Sequence, residues 1–358
     1  MKRSHFFLPG MVVLFLAACT TKNTFTDKAD YNPFLKPGII QKEVKKIKEQ
    51  MPFWENRLQR DTGNFVDMLE LASCHLRLFK LRGTIADLHS GDSLLKRSNR
   101  KLANKDPNIL FALSQNSITQ HKFREAAAFK EAAEVAGGDA YTSRMLEFDT
   151  KMELGELTNA SREIEALNDK SAFDYLIRKA KLEDHRGDLS AAIKLMEQAF
   201  EKVRHGGKDL YCWTLSNLGD MYGHAGRVGD SYKAYLNVLR KDSNYIYALK
   251  GIAWIVYSHD QNAEDAKRIY EYLLSQTSMP DIYLALSEIA EWEGNREKKM
   301  LYIEKFIRQV EMSGYGEMYN KYLIHLYTEE IKDLDKALSL AKSKATKRQI
   351  EKRMERGQ

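Results

Sequence analysis

One spacing constrains this chain more than any other feature. Leu215, Leu218, Gly219 and Tyr222 fall at i, i+3, i+4 and i+7, the apolar face of one helix. Leu249, Ile252, Ala253 and Val256 repeat the same pattern 34 residues later. After Leu215 to Tyr222 come the turn glycines Gly226 and Gly229, then a second apolar face at Ser231, Tyr235 and Val238. Its counterpart in the next copy is Ala266, Tyr270 and Leu273, one residue late because the turn at Asp260 to Asn262 is longer. Gly226 and Gly294 lie 68 apart, two periods, and Gly155 and Gly187 lie 32 apart. Two helices this short do not bury their own apolar faces, so each pair requires copies stacked on either side.

The stretch 215–244 resembles a tetratricopeptide repeat, with a large residue, then Leu-Gly and Tyr on the first helix and small and aromatic residues on the second. Gly219 and Ser231 let the two helices approach, and Tyr222 and Tyr235 fill the space beside them. Further pairs are predicted at 65–81 with 84–102, 109–118 with 123–135, 142–154 with 157–167, and 172–185 with 189–203. After the opening pair and its 34-residue copy come 281–310 and a last pair, 317–328 with 334–342. Asp106-Pro107 and Gly137-Gly138 punctuate the early pairs. The resemblance implies an all-α fold, a right-handed superhelical α-solenoid of tandem helix-turn-helix repeats. Six prolines in 358 residues agree with helices rather than a many-stranded sheet.

The chain begins differently. Lys2 and Arg3 precede an apolar run, Leu8 to Ala18, too short to span a bilayer. Leu16-Ala17-Ala18-Cys19 resembles the bacterial lipobox, which implies acylation of Cys19 after cleavage before it. Acyl chains contribute roughly 0.8 kcal/mol per buried CH₂, so more than one holds a protein stably at a membrane. Thr20 follows where, in the family's sorting rule, Asp retains a lipoprotein in the inner membrane; the expectation is an outer-membrane anchor, either leaflet. The expected organisation is a signal peptide over 1–18, a lipidated N-terminus and polar tether over 19–38, and a capping helix over 39–63 interrupted by Pro52. The solenoid over 64–341 and a basic tail over 342–358 follow. The tail carries seven basic residues against Glu351 and Glu355 and reads as a solvated capping helix. Cys74 and Cys212 lie in distant repeats and read as small buried residues rather than a disulfide.

The tetratricopeptide resemblance also implies a concave groove lined by first helices. Its groove positions fall on Trp213, Asp220, His224, Tyr247, Lys250, Trp254, Tyr257, Glu288 and Trp292, and so on three of the four tryptophans. Tryptophan and tyrosine dominate binding hot spots, although rings at these positions also serve as packing between repeats. The fifth repeat positions, Ile177, Ser216, Lys250 and Leu284, depart from the carboxylate clamp of one tetratricopeptide subclass.

His185, His224 and His259 recur near the ends of successive first helices. Repeats stack about 10 Å apart and zinc ligands sit about 2 Å from the ion, so no metal is expected there. No HExxH, GxSxG, phosphate-cradling glycine loop or paired CxxC occurs, so catalysis has no positive support. The net charge of +6 includes Lys2 and Arg3 and does not by itself imply nucleic acid. The expected function is a non-enzymatic scaffold that binds envelope proteins through its groove and the membrane through its lipid. No cofactor, small-molecule substrate or nucleic acid is expected. The alternative is a glycan-binding lipoprotein of the starch-utilisation type, disfavoured by the short connections.

Overall fold

The computed structural model describes residues 24–341. Cys19, the signal peptide and the basic tail lie outside them. Among the described residues every regular element is helical: α1 (Lys28–Tyr31), α2 (Ile39–Arg60), α3 (Phe65–Arg82), α4 (Ile85–Lys101), α5 (Pro107–Thr119), α6 (Phe123–Val135), α7 (Ala140–Leu154), α8 (Leu157–Glu165), α9 (Phe173–His185), α10 (Leu189–Val203), α11 (Lys208–His224), α12 (Val228–Lys241), α13 (Ile246–Ser258), α14 (Ala263–Gln276), α15 (Asp281–Trp292), α16 (Arg296–Ser313) and α17 (Asn320–Glu329). Residues 334–341 form a further helical stretch against α17. From α3 onward the helices pack as consecutive hairpins, each hairpin on the next. The chain is an all-α solenoid of tetratricopeptide-like repeats.

Local chemistry sets the boundaries. Asn64, Asp106, Asp139, Asp188, Asn262 and Asn295 accept backbone N–H groups at helix starts. Pro107 takes the first helical position of α5, where no N–H is needed. The predicted close approach of helices is realised by one ring. Tyr235 of α12 is buried between two glycines: a Cβ at Gly219 would lie 2.9 Å from its ring, and a Cβ at Gly251 would lie 2.3 Å from it. Tyr235 thereby joins α11, α12 and α13 in one core. Cys74 and Cys212 are both free and buried, and burial pushes the Cys212 thiol up to about 11.

Two expectations need correction. The helix α2 is not interrupted at Pro52. Proline removes one ladder bond and costs about 3 kcal/mol, but buried Ile40, Val44 and Ile47 on one side and Leu58 on the other hold both halves in place. Residues 25–36 are not a loose tether. They lie along α12 and α14, with Tyr31 only 2% exposed, and polarity misled because their polar groups are bonded to the repeats rather than to water. The solenoid also makes contacts between distant repeats. The α3–α4 turn docks on the far end of the solenoid: the Ser278 N–H donates to Arg82 O (2.7 Å), and the Tyr315 hydroxyl lies 2.9 Å from Gly83 O. Ile85 and Leu88 share a core with Ile303, Phe306 and Val310.

Gly83 is essential to that closure. Its φ is +67°, and a Cβ there would lie 2.6 Å from Met279 Cγ. Gly226 has a similar φ of +73° but nothing within 4 Å of its would-be Cβ. Gly226→Ala should therefore cost only the left-handed strain, about 1–2 kcal/mol. Gly83→Ala should cost that plus the overlap with Met279, and lower the melting temperature by several degrees more than Gly226→Ala in thermal unfolding followed by circular dichroism.

Candidate partner-binding groove

The first helices α11, α13 and α15 line a cavity of about 810 Å³ on the concave side, closed at one end by α16 and α17. Of the expected groove residues, Asp220, His224, Tyr247, Lys250, Trp254 and Glu288 line it together. The repeat register explains this: Asp220, Trp254 and Glu288 recur every 34 residues at one position of successive first helices, and Tyr247 lies seven residues before Trp254 on the same face of α13. Trp213 lies outside, on a second cavity of about 710 Å³ that Asp220 and Tyr247 also border, and it meets Phe173 edge-on at 6.4 Å. Tyr257 and Trp292 lie off both cavities. They pack on each other at the end of α13 and α15 (6.3 Å between rings), and the Tyr257 hydroxyl donates to Glu288 O. Trp254 packs over Gly223 and meets His259 edge-on.

Sequence reasoning missed the residues contributed by second and terminal helices: Tyr235 and Tyr270 in the floor, and Lys299, Tyr322, His325 and Glu330 at the closed end. The repeat pattern assigns second helices to packing. Tyr235 reaches the cavity because Gly219 and Gly251 beside it have no side chain. Asp281 and Glu291 hold groove positions and line the cavity as well.

Charge is distributed unevenly. Asp220, Asp281, Glu288, Glu291 and Glu330 face two lysines. Both lysines are already engaged: Lys250 with Asp281, and Lys299 with Glu291 (2.7 Å) and Glu330 (2.9 Å). Asp220 accepts the Tyr235 hydroxyl, and that bond together with the charges of His224 and Lys250 favours its charged form. Enclosure by the concave walls nevertheless holds its carboxyl above the usual range. Glu288 is raised by the same enclosure and by the neighbouring Glu291. Both side chains keep contact with solvent, as expected of groups in a groove rather than a core. Among the described residues no group of three His, Cys, Asp or Glu gathers at metal-binding distance.

No protein-family model matches the chain, and no curated protein matches it. Solved structures do. A tetratricopeptide repeat protein from Parabacteroides merdae ATCC 43184 is 16% identical, the match covering 77% of this chain and 98% of that one with a TM-score of 0.45. A human IFIT1 dimer with m7Gppp-AAAA is 15% identical, covering 74% of this chain and 68% of that one with a TM-score of 0.51. At these identities the likeness is one of fold.

The raised carboxyls have a thermodynamic consequence. A carboxyl whose folded pKa exceeds its unfolded value binds protons more tightly when folded, so the stability it contributes falls as pH rises through that range. At neutral pH Glu288 and Asp220 thus weaken the fold. Glu288→Gln and Asp220→Asn should each raise the melting temperature at pH 7, and the gain should shrink as the buffer is taken down to pH 4.

Proposed function

We propose that this chain is a non-enzymatic, lipid-anchored scaffold that holds a basic segment of a protein partner in its concave groove, within a bacterial envelope complex. One observation carries the partner assignment: an aromatic cavity of about 810 Å³ in which five carboxylates face two lysines that are already paired. A Lys or Arg side chain from a partner gives Asp220 and Glu288 an ion-pair partner at contact distance, which neither has among the described residues. Tyr247 and Trp254 supply ring faces for its stem and for cation–π contact. Carboxylates that weaken the fold at neutral pH are what a site held for binding rather than stability looks like.

The same charge argues against phosphate. The IFIT1 structure contains m7Gppp-AAAA, but a groove with excess carboxylate repels a nucleic-acid backbone, whose binding rests on lysine and arginine. The anchor assignment rests on Leu16-Ala17-Ala18-Cys19 and the basic start of the chain. The envelope and outer-membrane reading follows from it, with Thr20 at the sorting position.

The test is capture of partners from envelope extract by the acyl-free protein. Asp220→Lys with Glu288→Lys should reduce capture at least about tenfold, because like charge across an interface is costly. Trp254→Ala should reduce it further, with capture by every variant measured below its own melting transition so that the loss is read on folded protein. Captured proteins should share a basic segment whose synthetic peptide competes. Capture that survives the double charge reversal would overturn the groove assignment, as would recovery of nucleic acid in place of protein.

A further inference from the structure

The docked N-terminal strap has a direction. At its start the buried Asp260 carboxylate accepts the Phe25 N–H (2.7 Å), the Thr26 N–H (3.1 Å) and the Thr26 hydroxyl (2.5 Å). The Asp27 N–H then meets the Tyr232 hydroxyl, and Lys28 pairs with Asp265 at 2.6 Å. Arg268 donates to Asn32 and lies over the Tyr31 ring, and the Tyr272 hydroxyl donates to Lys36 O. Asp260 lies in the α13–α14 turn, and Asp265, Arg268 and Tyr272 succeed one another along α14. The strap therefore runs from the α13–α14 turn along α14 to Tyr272.

Within the three repeats α11 to α16, the turns joining the helices of each hairpin share one edge: 225–227, 259–262 and 293–295. The connections between hairpins share the opposite edge. That opposite edge is covered: Ser278 carries the α3–α4 turn, and Glu43 of α2 and Arg77 of α3 face Lys208 and Asp242 across the second cavity. The chain leaves the solenoid at the first edge, at Asp260. Cys19 precedes Phe25 by six residues, which span at most about 22 Å fully extended.

We propose that the hairpin-turn edge of these three repeats is apposed to a phospholipid bilayer, so that the groove runs parallel to the membrane surface. This rests on the reading of Cys19 as the lipid-bearing residue. The short reach from Cys19 to Asp260 does not let the solenoid tumble freely, since a 14-residue helix alone is about 21 Å long. Two exposed aromatic rings stand on the same edge, Trp292 (58% exposed) and Phe25 (47%). Such rings favour the membrane–water interface. Trp292 thus gains a role that the groove does not give it. A partner segment lying in the groove would extend along the bilayer.

The experiment places the acylated full chain in phosphatidylethanolamine–phosphatidylglycerol vesicles containing an acceptor-labelled lipid. A donor dye is attached at Arg296→Cys, on the proposed membrane edge, or at Lys241→Cys, on the opposite edge. Both sites are exposed, and Cys74 and Cys212 are buried, so labelling is selective. Energy transfer to the lipid should be at least about twofold greater from position 296, given edges separated by roughly one helix length. A Gly/Ser spacer of about twenty residues between Thr21 and Lys22 leaves the fold untouched and should abolish the difference. Equal or reversed transfer from an intact-mass-verified acylated protein would overturn the orientation and leave the anchor standing. A difference that survives the spacer would overturn the strap as its cause. A Cys19 without acyl mass would overturn both readings.

Discussion

The structure depends on helical hairpins that do not bury their apolar faces alone. Every hairpin from α3 onward uses its neighbours as the other half of its core, and Tyr235 is where this is most concentrated. Its ring is sandwiched between Gly219 of its own repeat and Gly251 of the next, so the van der Waals contact of one side chain spans three helices. A larger residue at either glycine would separate the repeats. The spacing of 34 in the sequence is the trace of this requirement: a small residue, Gly219 then Ala253, recurs on successive first helices, and Tyr235 then Tyr270 on the second helices.

Stacking alone would leave an array with two open ends, and the chain removes part of that freedom with long-range contacts. The strap at residues 25–36 ties to α12 and α14 across more than two hundred residues. The α3–α4 turn ties to the loop after α14. Both sets of contacts fall on the repeats that carry the groove. The curvature at α11 to α16 is thus held from outside as well as by packing between repeats, which keeps Asp220, Lys250 and Glu288 on one cavity wall.

The repeats and the groove's first-helix residues were legible because they obey a period. Asp220, Tyr247, Trp254 and Glu288 came to one cavity by register alone. The strap was not legible. Thr24 to Lys36 is polar and contains Pro33, which in isolation describes a linker, and its partners lie where no local pattern reaches. Yet the sequence held a sign of it. The α13–α14 turn is one residue longer than its counterparts, and Gln261 rather than glycine takes the left-handed position there, at φ +55°. That irregular turn is where Asp260 grips the strap. The closed end of the cavity was hidden for a related reason: Lys299, Tyr322 and Glu330 come from the last repeats, whose pattern is the most degenerate.

Trp292 and Tyr257 show how register can mislead. Both hold groove positions in the repeat pattern, and both sit at helix ends, where the face of the helix turns away from the cavity toward the hairpin-turn edge. A position-by-position rule treats a first helix as a straight rod of equivalent rungs. The last rung instead belongs to the edge, and its environment is set by what lies beyond the array. On that edge Phe25 meets His259 at 5.9 Å where the strap begins, and His259 in turn meets Trp254. The aromatic residues of this chain therefore divide by depth along the helix. Tyr247 and Trp254, within α13, line the cavity, whereas Tyr257 and Trp292 pack on each other at the helix ends. A partner in the groove and an anchor at the edge would draw on different rings, so changes to one set need not disturb the other.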